Sequence, residues 1–174
     1  VVFLRPFGID RFTDGSRLAL SRVRSEFEDL PHWRRASARL LGLGAPEAFA
    51  TVNYVSNLIP WYRDVARAMV AHVETHHRGG WAATIARELR FSEYTLYGVY
   101  AEEVLGLHQA GHYPWDDPIL NMCWDEPMTS RTDIDKLLDQ TLDEHIVAMF
   151  HAKAGFHPAH LRAAVEAWWA ENSD

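Results

Sequence analysis

Along the chain, short runs of branched and aromatic residues alternate with longer stretches in which apolar positions recur every three or four residues. The first pattern predicts strands and the second predicts helices. The opening VVFL (1–4) is a β-branched and aromatic run cut short by Arg5 and Pro6, and it reads as a buried strand. Residues 17–23 (RLALSRV) alternate apolar and polar side chains, as a half-buried strand does. Residues 31–41 carry Trp33, Leu40 and Leu41 at helical spacing and stop at Gly42 and Gly44. The stretch TVNYVSNLI (51–59) is rich in β-branched residues, ends at Pro60 and predicts another strand. Beyond it, Trp61, Val65, Ala68, Met69, His72, Val73 and His76 fall on one helical stripe, closed by Gly79 and Gly80. Residues 81–89 predict a short helix. Ser92 then predicts the N-cap of a further one, with Tyr94, Tyr97, Ala101 and Val104 on one face and Gly106 at its end.

Residues 107–117 (LHQAGHYPWDD) read as a loop, and PILNMCW (118–124) as a strand. Thr132 and Asp135 resemble a capping box with Asp in place of Glu, opening a helix that turns Ile134, Leu137 and Leu138 inward. HIVAMF (145–150) predicts the last strand. A final helix beginning near Pro158 is expected to present Leu161, Val165, Trp168 and Trp169 to the core. Strands alternating with helices predict an α/β domain, a mixed sheet flanked by helices. With no internal repeat, low-complexity tract or linker, residues 1–174 are expected to form a single domain. Its first strand has no initiating Met and reads as entered from upstream, so the domain is expected to be partial.

Charge and cysteine content narrow the partners. The net charge is −7 and the Lys and Arg residues are scattered, which argues against a nucleic-acid partner. Cys123 is the one cysteine, so an internal disulfide and a cysteine-rich zinc site are both excluded; a reducing, cytoplasmic setting is expected. No apolar run approaches the ~20 residues that span a membrane. His72 with His76, and His108 with His112, have the i, i+4 spacing of helical zinc ligands. However, HVETH is not HExxH, and Gly111 weakens any helix through HQAGH. The chain has no GxSxG, GxxxxGK or GxGxxG string, so serine hydrolase, P-loop and dinucleotide chemistries lack their entry points. An exposed sheet edge at the first strand would favour self-association.

Four strings carry a resemblance: VVFLRPF at the start, VSNLIPWYRDV (55–65), FSEYTLYGVYAEEVLG (91–106) and AMFHAKAGF (148–156). In this order they resemble a bacterial family of glycosyltransferase-like proteins catalogued as a domain of unknown function, whose helix carries Ser-Glu-Tyr-x-x-Tyr-Gly. The resemblance implies the C-terminal portion of a GT-A-like nucleotide-diphospho-sugar transferase domain, beginning just after an Asp-x-Asp motif. It implies transfer of a sugar from a nucleoside diphosphate donor to an unknown acceptor, assisted by Mn²⁺ or Mg²⁺ held mostly by carboxylates upstream of Val1. On that expectation these residues alone would be inactive. The alternative from another class is a binding or assembly module that keeps the fold without turnover.

Several residues gain candidate roles from this resemblance. Glu93 is the candidate catalytic carboxylate, accepting the proton of an attacking hydroxyl; equally, a negative charge at the first position of a helix is favourable for structural reasons. Tyr94 and Tyr97, three apart on one face, either bind the sugar or pack in the core. Asn57, at a strand-to-helix junction with Pro60 and Arg63, either binds a hydroxyl or caps the helix. His151 and Lys153, two apart after the last strand, are expected on one side of it, as metal ligand and diphosphate contact. The family often carries a polar amide where His151 stands, which makes Lys153 the firmer of the two. Asp116 and Asp117 are an acidic pair suited to a sugar, a cation or a plain turn.

Overall fold

The computed structural model describes residues 2–4, 12–24, 28–44, 52–56, 59–116, 120–123, 127–142, 145 and 147–172. It is a mixed α/β structure in which short parallel and antiparallel strand pairs are flanked by helices. The chain divides into two compact units, residues 12–117 and residues 1–11 with 118–174.

In the 12–117 unit, β2 (Leu18–Ser21) pairs in parallel with β5 (His112–Trp115), and β3 (Val23–Arg24) pairs antiparallel with β4 (Val52–Asn53). The helices are α1 (Leu30–Leu40), α2 (Arg63–His76), α3 (Trp81–Ala86) and α4 (Glu93–Val99), and α1 packs against α4. Leu20, Leu40, Leu41, Tyr54, Met69, Val73, Leu96, Tyr97 and Val99 form the core. The alternation expected over 17–23 is not observed. Ala19, Leu20 and Ser21 are buried in succession, because a parallel strand is covered on both faces.

Two other sequence expectations change here. Among the described residues of the strand expected over 51–59, Val52–Asn53 form the strand and 54–56 do not: the Asn53 side chain accepts a hydrogen bond from the Val55 amide at 2.9 Å, a local turn that replaces the ladder. The loop expected over 107–117 contains β5. Its Pro114 forgoes a ladder bond, as an edge strand allows, and its register is set by β2 more than ninety residues away. Local pattern carries no trace of such a partner.

In the other unit, β1 (Val2–Phe3) pairs antiparallel with β7 (Val147–Phe150), which pairs in parallel with β6 (Leu120–Cys123), giving the order β1-β7-β6 with β1 at an edge. The crossover from β6 to β7 runs through α5 (Arg131–Asp139), and α6 (Pro158–Asn172) packs on α5. The central strand β7 is buried at all four positions, and Ile134, Leu138, Phe150 and Val165 lie in the core. The capping box of α5 is Ser130 with Asp133, two residues before the expected pair. Asp133 accepts from the Ser130 amide at 2.9 Å and from its hydroxyl at 2.8 Å. Those bonds hold the Asp133 carboxyl below its ordinary range. On α6 the inward residues are Ala164 and Val165 with Leu161 and Trp168 beside them. Trp169 is 42% exposed and donates its indole N–H to the Leu4 carbonyl at 3.1 Å.

Candidate functional site

The Ser-Glu-Tyr-x-x-Tyr-Gly string opens α4, and each of its named residues has a physical task there. Ser92 is the N-cap, its hydroxyl accepting from the Thr95 amide at 3.3 Å. Glu93 is the first helical residue and is exposed, where a negative charge meets the positive end of the helix. Tyr94 is half-buried, its ring meeting Trp61 edge to face at 5.8 Å. Tyr97 is fully buried and stacks on Trp61 with ring centroids 4.8 Å apart and planes 10° apart. At Gly98 the Tyr54 ring lies on the helix backbone so closely that a Cβ would fall within 2.7 Å of three of its carbons. A glycine in mid-helix costs about 1 kcal/mol relative to alanine, and here it makes room for a ring.

The hydrogen-bond directions around Tyr97 follow from the acceptors. His112 Nδ1 lies 3.0 Å from the Leu18 carbonyl, which can only accept, so Nδ1 carries the proton. Nε2 is therefore the acceptor for the Tyr97 hydroxyl at 2.7 Å, and that hydroxyl accepts in turn from the Tyr62 amide at 3.0 Å. Tyr97 offers no surface to a ligand; core packing is its role, and it serves as the immobile backing of Trp61. Burial pushes the Tyr97 phenol up to about 12. It pushes the His112 imidazole down, with the Leu18 bond opposing more weakly.

Burial of His112 links folding to pH. The unfolded side chain binds a proton near pH 6.5, and the folded one only at lower pH. Between those values the unfolded chain holds more protons, so stability falls as pH falls from about 6.5 and levels off below the folded pKa. The urea midpoint should therefore drop between pH 7.5 and 5.5 in the wild type and drop less in His112→Gln. Equal pH dependence in the two proteins would contradict the buried neutral imidazole.

Beyond Gly98 the helix widens into a π-turn, Tyr100–Val104, in which the Leu105 amide donates to the Tyr100 carbonyl at 3.1 Å. The turn carries Glu102, which receives Arg22 through Nε (3.0 Å) and a terminal nitrogen (2.8 Å) and the Tyr54 hydroxyl at 2.6 Å. The buried Arg34 guanidinium sits 5.2 Å over the Tyr54 ring. Burial first and Glu102 second push the Tyr54 phenol far up, so it remains a donor. Glu103 is raised by burial and then by the charge of Glu102. Asp116, largely exposed, lies 3.8 Å from Arg22; Asp117 lies outside the described residues. An open cavity of about 460 Å³, lined by Asp14, Ser16, Arg17, His108 and Gly111, lies at the opposite, N-terminal ends of β2 and β5.

The paired histidines do not converge on a metal. His72 Nε2 bonds the Leu41 carbonyl at 3.0 Å, and His77 Nε2 bonds the Arg39 and Leu40 carbonyls at 3.1 Å, so these rings satisfy the orphan carbonyls at the end of α1. His76 Nδ1 turns to the His72 carbonyl at 2.9 Å. His108 is exposed and His112 is buried against Tyr97.

In the other unit, β7 ends at Phe150. His151, half-buried, begins a 3₁₀ turn (Ala152–Ala154) in which Lys153 is exposed. A turn of three residues advances about 120° per residue, so the period of two that would put His151 and Lys153 on one side does not apply. Asn57 lies outside the described residues. Among the described residues no three His, Cys, Asp or Glu side chains are grouped to hold a metal ion. A lone imidazole does not make a site for Mn²⁺ or Mg²⁺, which take mainly oxygen ligands.

Sequence reasoning placed Trp61 on the α2 stripe, whereas it precedes that helix and packs on α4. It also passed over Tyr54 and Glu102. The available signal was Gly98, since a glycine inside a helical pattern marks a close approach.

These elements define a mixed α/β protein whose Ser92–Gly98 segment braces an aromatic cluster and leaves one carboxylate outside it. The chain belongs to the family of unknown function DUF6492, whose family model spans residues 1–169. No curated protein and no solved structure matches it. No helix among the described residues is long and apolar enough to cross a membrane.

Proposed function

We propose that this protein transfers a sugar from a nucleoside diphosphate donor to an acceptor hydroxyl, with Glu93 as a carboxylate of the site. The observation that carries the reading is the exposed Glu93 in the first turn of α4, the residue before the half-buried Tyr94, whose ring meets Trp61. A carboxylate beside aromatic rings suits a pyranose, which has hydroxyl donors around its rim and apolar C–H faces. In an inverting transfer the acceptor oxygen bonds to the anomeric carbon as the bond to the diphosphate oxygen breaks. The electron pair leaves with the nucleoside diphosphate, and the hydroxyl proton passes to Glu93. The resemblance of the motif strings to glycosyltransferase-like proteins and the mixed α/β architecture support a GT-A-like domain. Within the same reading Asn57 binds a hydroxyl.

Calorimetric titration of uridine and guanosine diphosphate sugars into the full-length protein, with and without Mn²⁺, tests the proposal. Saturable binding of at least one donor is expected. Glu93→Gln should cut turnover by roughly 10²–10⁴-fold if the carboxylate moves the proton. Binding that survives without any turnover in the wild type would support a non-catalytic module instead. Absence of binding by every donor would end the proposal.

A further inference from the structure

We propose that Trp61 is a rigid stacking platform for a pyranose ring. The inference deepens the proposed function by assigning the residue that would seat the sugar, and its test does not depend on a nucleotide. Trp61 is 37% exposed although two rings hold it. One face lies flat on Tyr97, so the exposed surface belongs to the edges and the opposite face of the indole. Tyr97 cannot yield, because it is fully buried and its hydroxyl is held by His112 and by the backbone of Tyr62, the residue after Trp61. Tyr94 meets the indole at 66°, which fixes its orientation in a second direction.

An indole held in this way loses little side-chain entropy when a ligand arrives, and pre-organisation of this kind favours binding. Its face carries the negative part of the ring quadrupole, which attracts the weakly positive C–H groups on one face of a pyranose. The hydroxyls around that ring need acceptors, and the exposed carboxylate of Glu93, the residue before Tyr94, is a candidate for one. A nucleobase could also stack on an indole, and uridine and guanosine without a sugar are the arms of the test that separate it from a pyranose.

The test uses the indole N–H resonances of the full-length protein, titrated with methyl β-galactopyranoside, methyl α-glucopyranoside and methyl α-mannopyranoside. The Trp61 signal, identified by its loss in Trp61→Phe, should shift saturably with at least one glycoside, and Glu93→Gln should weaken that binding about tenfold. Trp81, 42% exposed at the start of α3, is the internal control and should stay in place. No shift with any glycoside, an equal shift at Trp81, or a shift produced by uridine or guanosine alone would overturn the proposal. If glycosides move Trp61 while no nucleotide sugar binds, the platform stands and the transferase reading falls. If nucleotide sugars bind and turn over while glycosides leave Trp61 unmoved, the transferase stands without this platform.

Discussion

Gly98→Ala will destabilise the protein by about 1–3 kcal/mol, the usual cost of overpacking a filled core. Two effects oppose each other at this position. Alanine is the better helix former by about 1 kcal/mol. Against that, its methyl group would fall 2.2 Å from a Tyr54 ring carbon, which no real packing tolerates. The ring cannot swing aside cheaply, because its hydroxyl is bonded to Glu102 and Arg34 lies over its face. The clash therefore wins. In a Tyr54→Ala background the same change should become neutral or stabilising, since only the helix propensity remains. Urea midpoints of the four proteins in this cycle measure the coupling; additive effects would show that the close approach does not matter.

The motif around Gly98 also shows how far sequence could reach. Ser92 as a cap and Glu93 in the first turn were legible because capping chemistry is local. The six α-helices among the described residues were legible too, most of them from a stripe of apolar positions or a stop signal. The parallel pairing of β2 with β5 was not legible, because its register depends on a partner across the unit and HYPW contains a proline. For the same reason the four-residue cluster of Arg22, Arg34, Tyr54 and Glu102 lay hidden. Its members come from four separate segments, and only the tertiary fold brings them together. At His151 and Lys153, strand periodicity does not hold, because the strand ends at Phe150 and a 3₁₀ turn follows His151.

Tyr97→Phe is the second change with a large expected effect. It preserves the ring stacked on Trp61 and deletes one oxygen, leaving the buried His112 Nε2 without its donor and the Tyr62 amide without its acceptor. Leaving a buried polar group unsatisfied costs about 1–3 kcal/mol, far more than a phenyl-for-phenol swap at a surface. Chemical denaturation should show a loss in that range. The change should also blunt any binding at Trp61, because the backing ring loses its anchor. A stability change below about 0.5 kcal/mol, the scale of surface substitutions, would show that these two bonds contribute nothing to holding the cluster.

The most direct measurement for the whole account is amide and indole shift mapping of the full-length protein against a uridine or guanosine diphosphate sugar. A sugar-handling role predicts saturable shifts centred on Glu93, Tyr94 and the Trp61 indole. Shifts confined to other surfaces, such as the cavity lined by Asp14, Ser16, Arg17, His108 and Gly111, or no shifts with any donor, would contradict it.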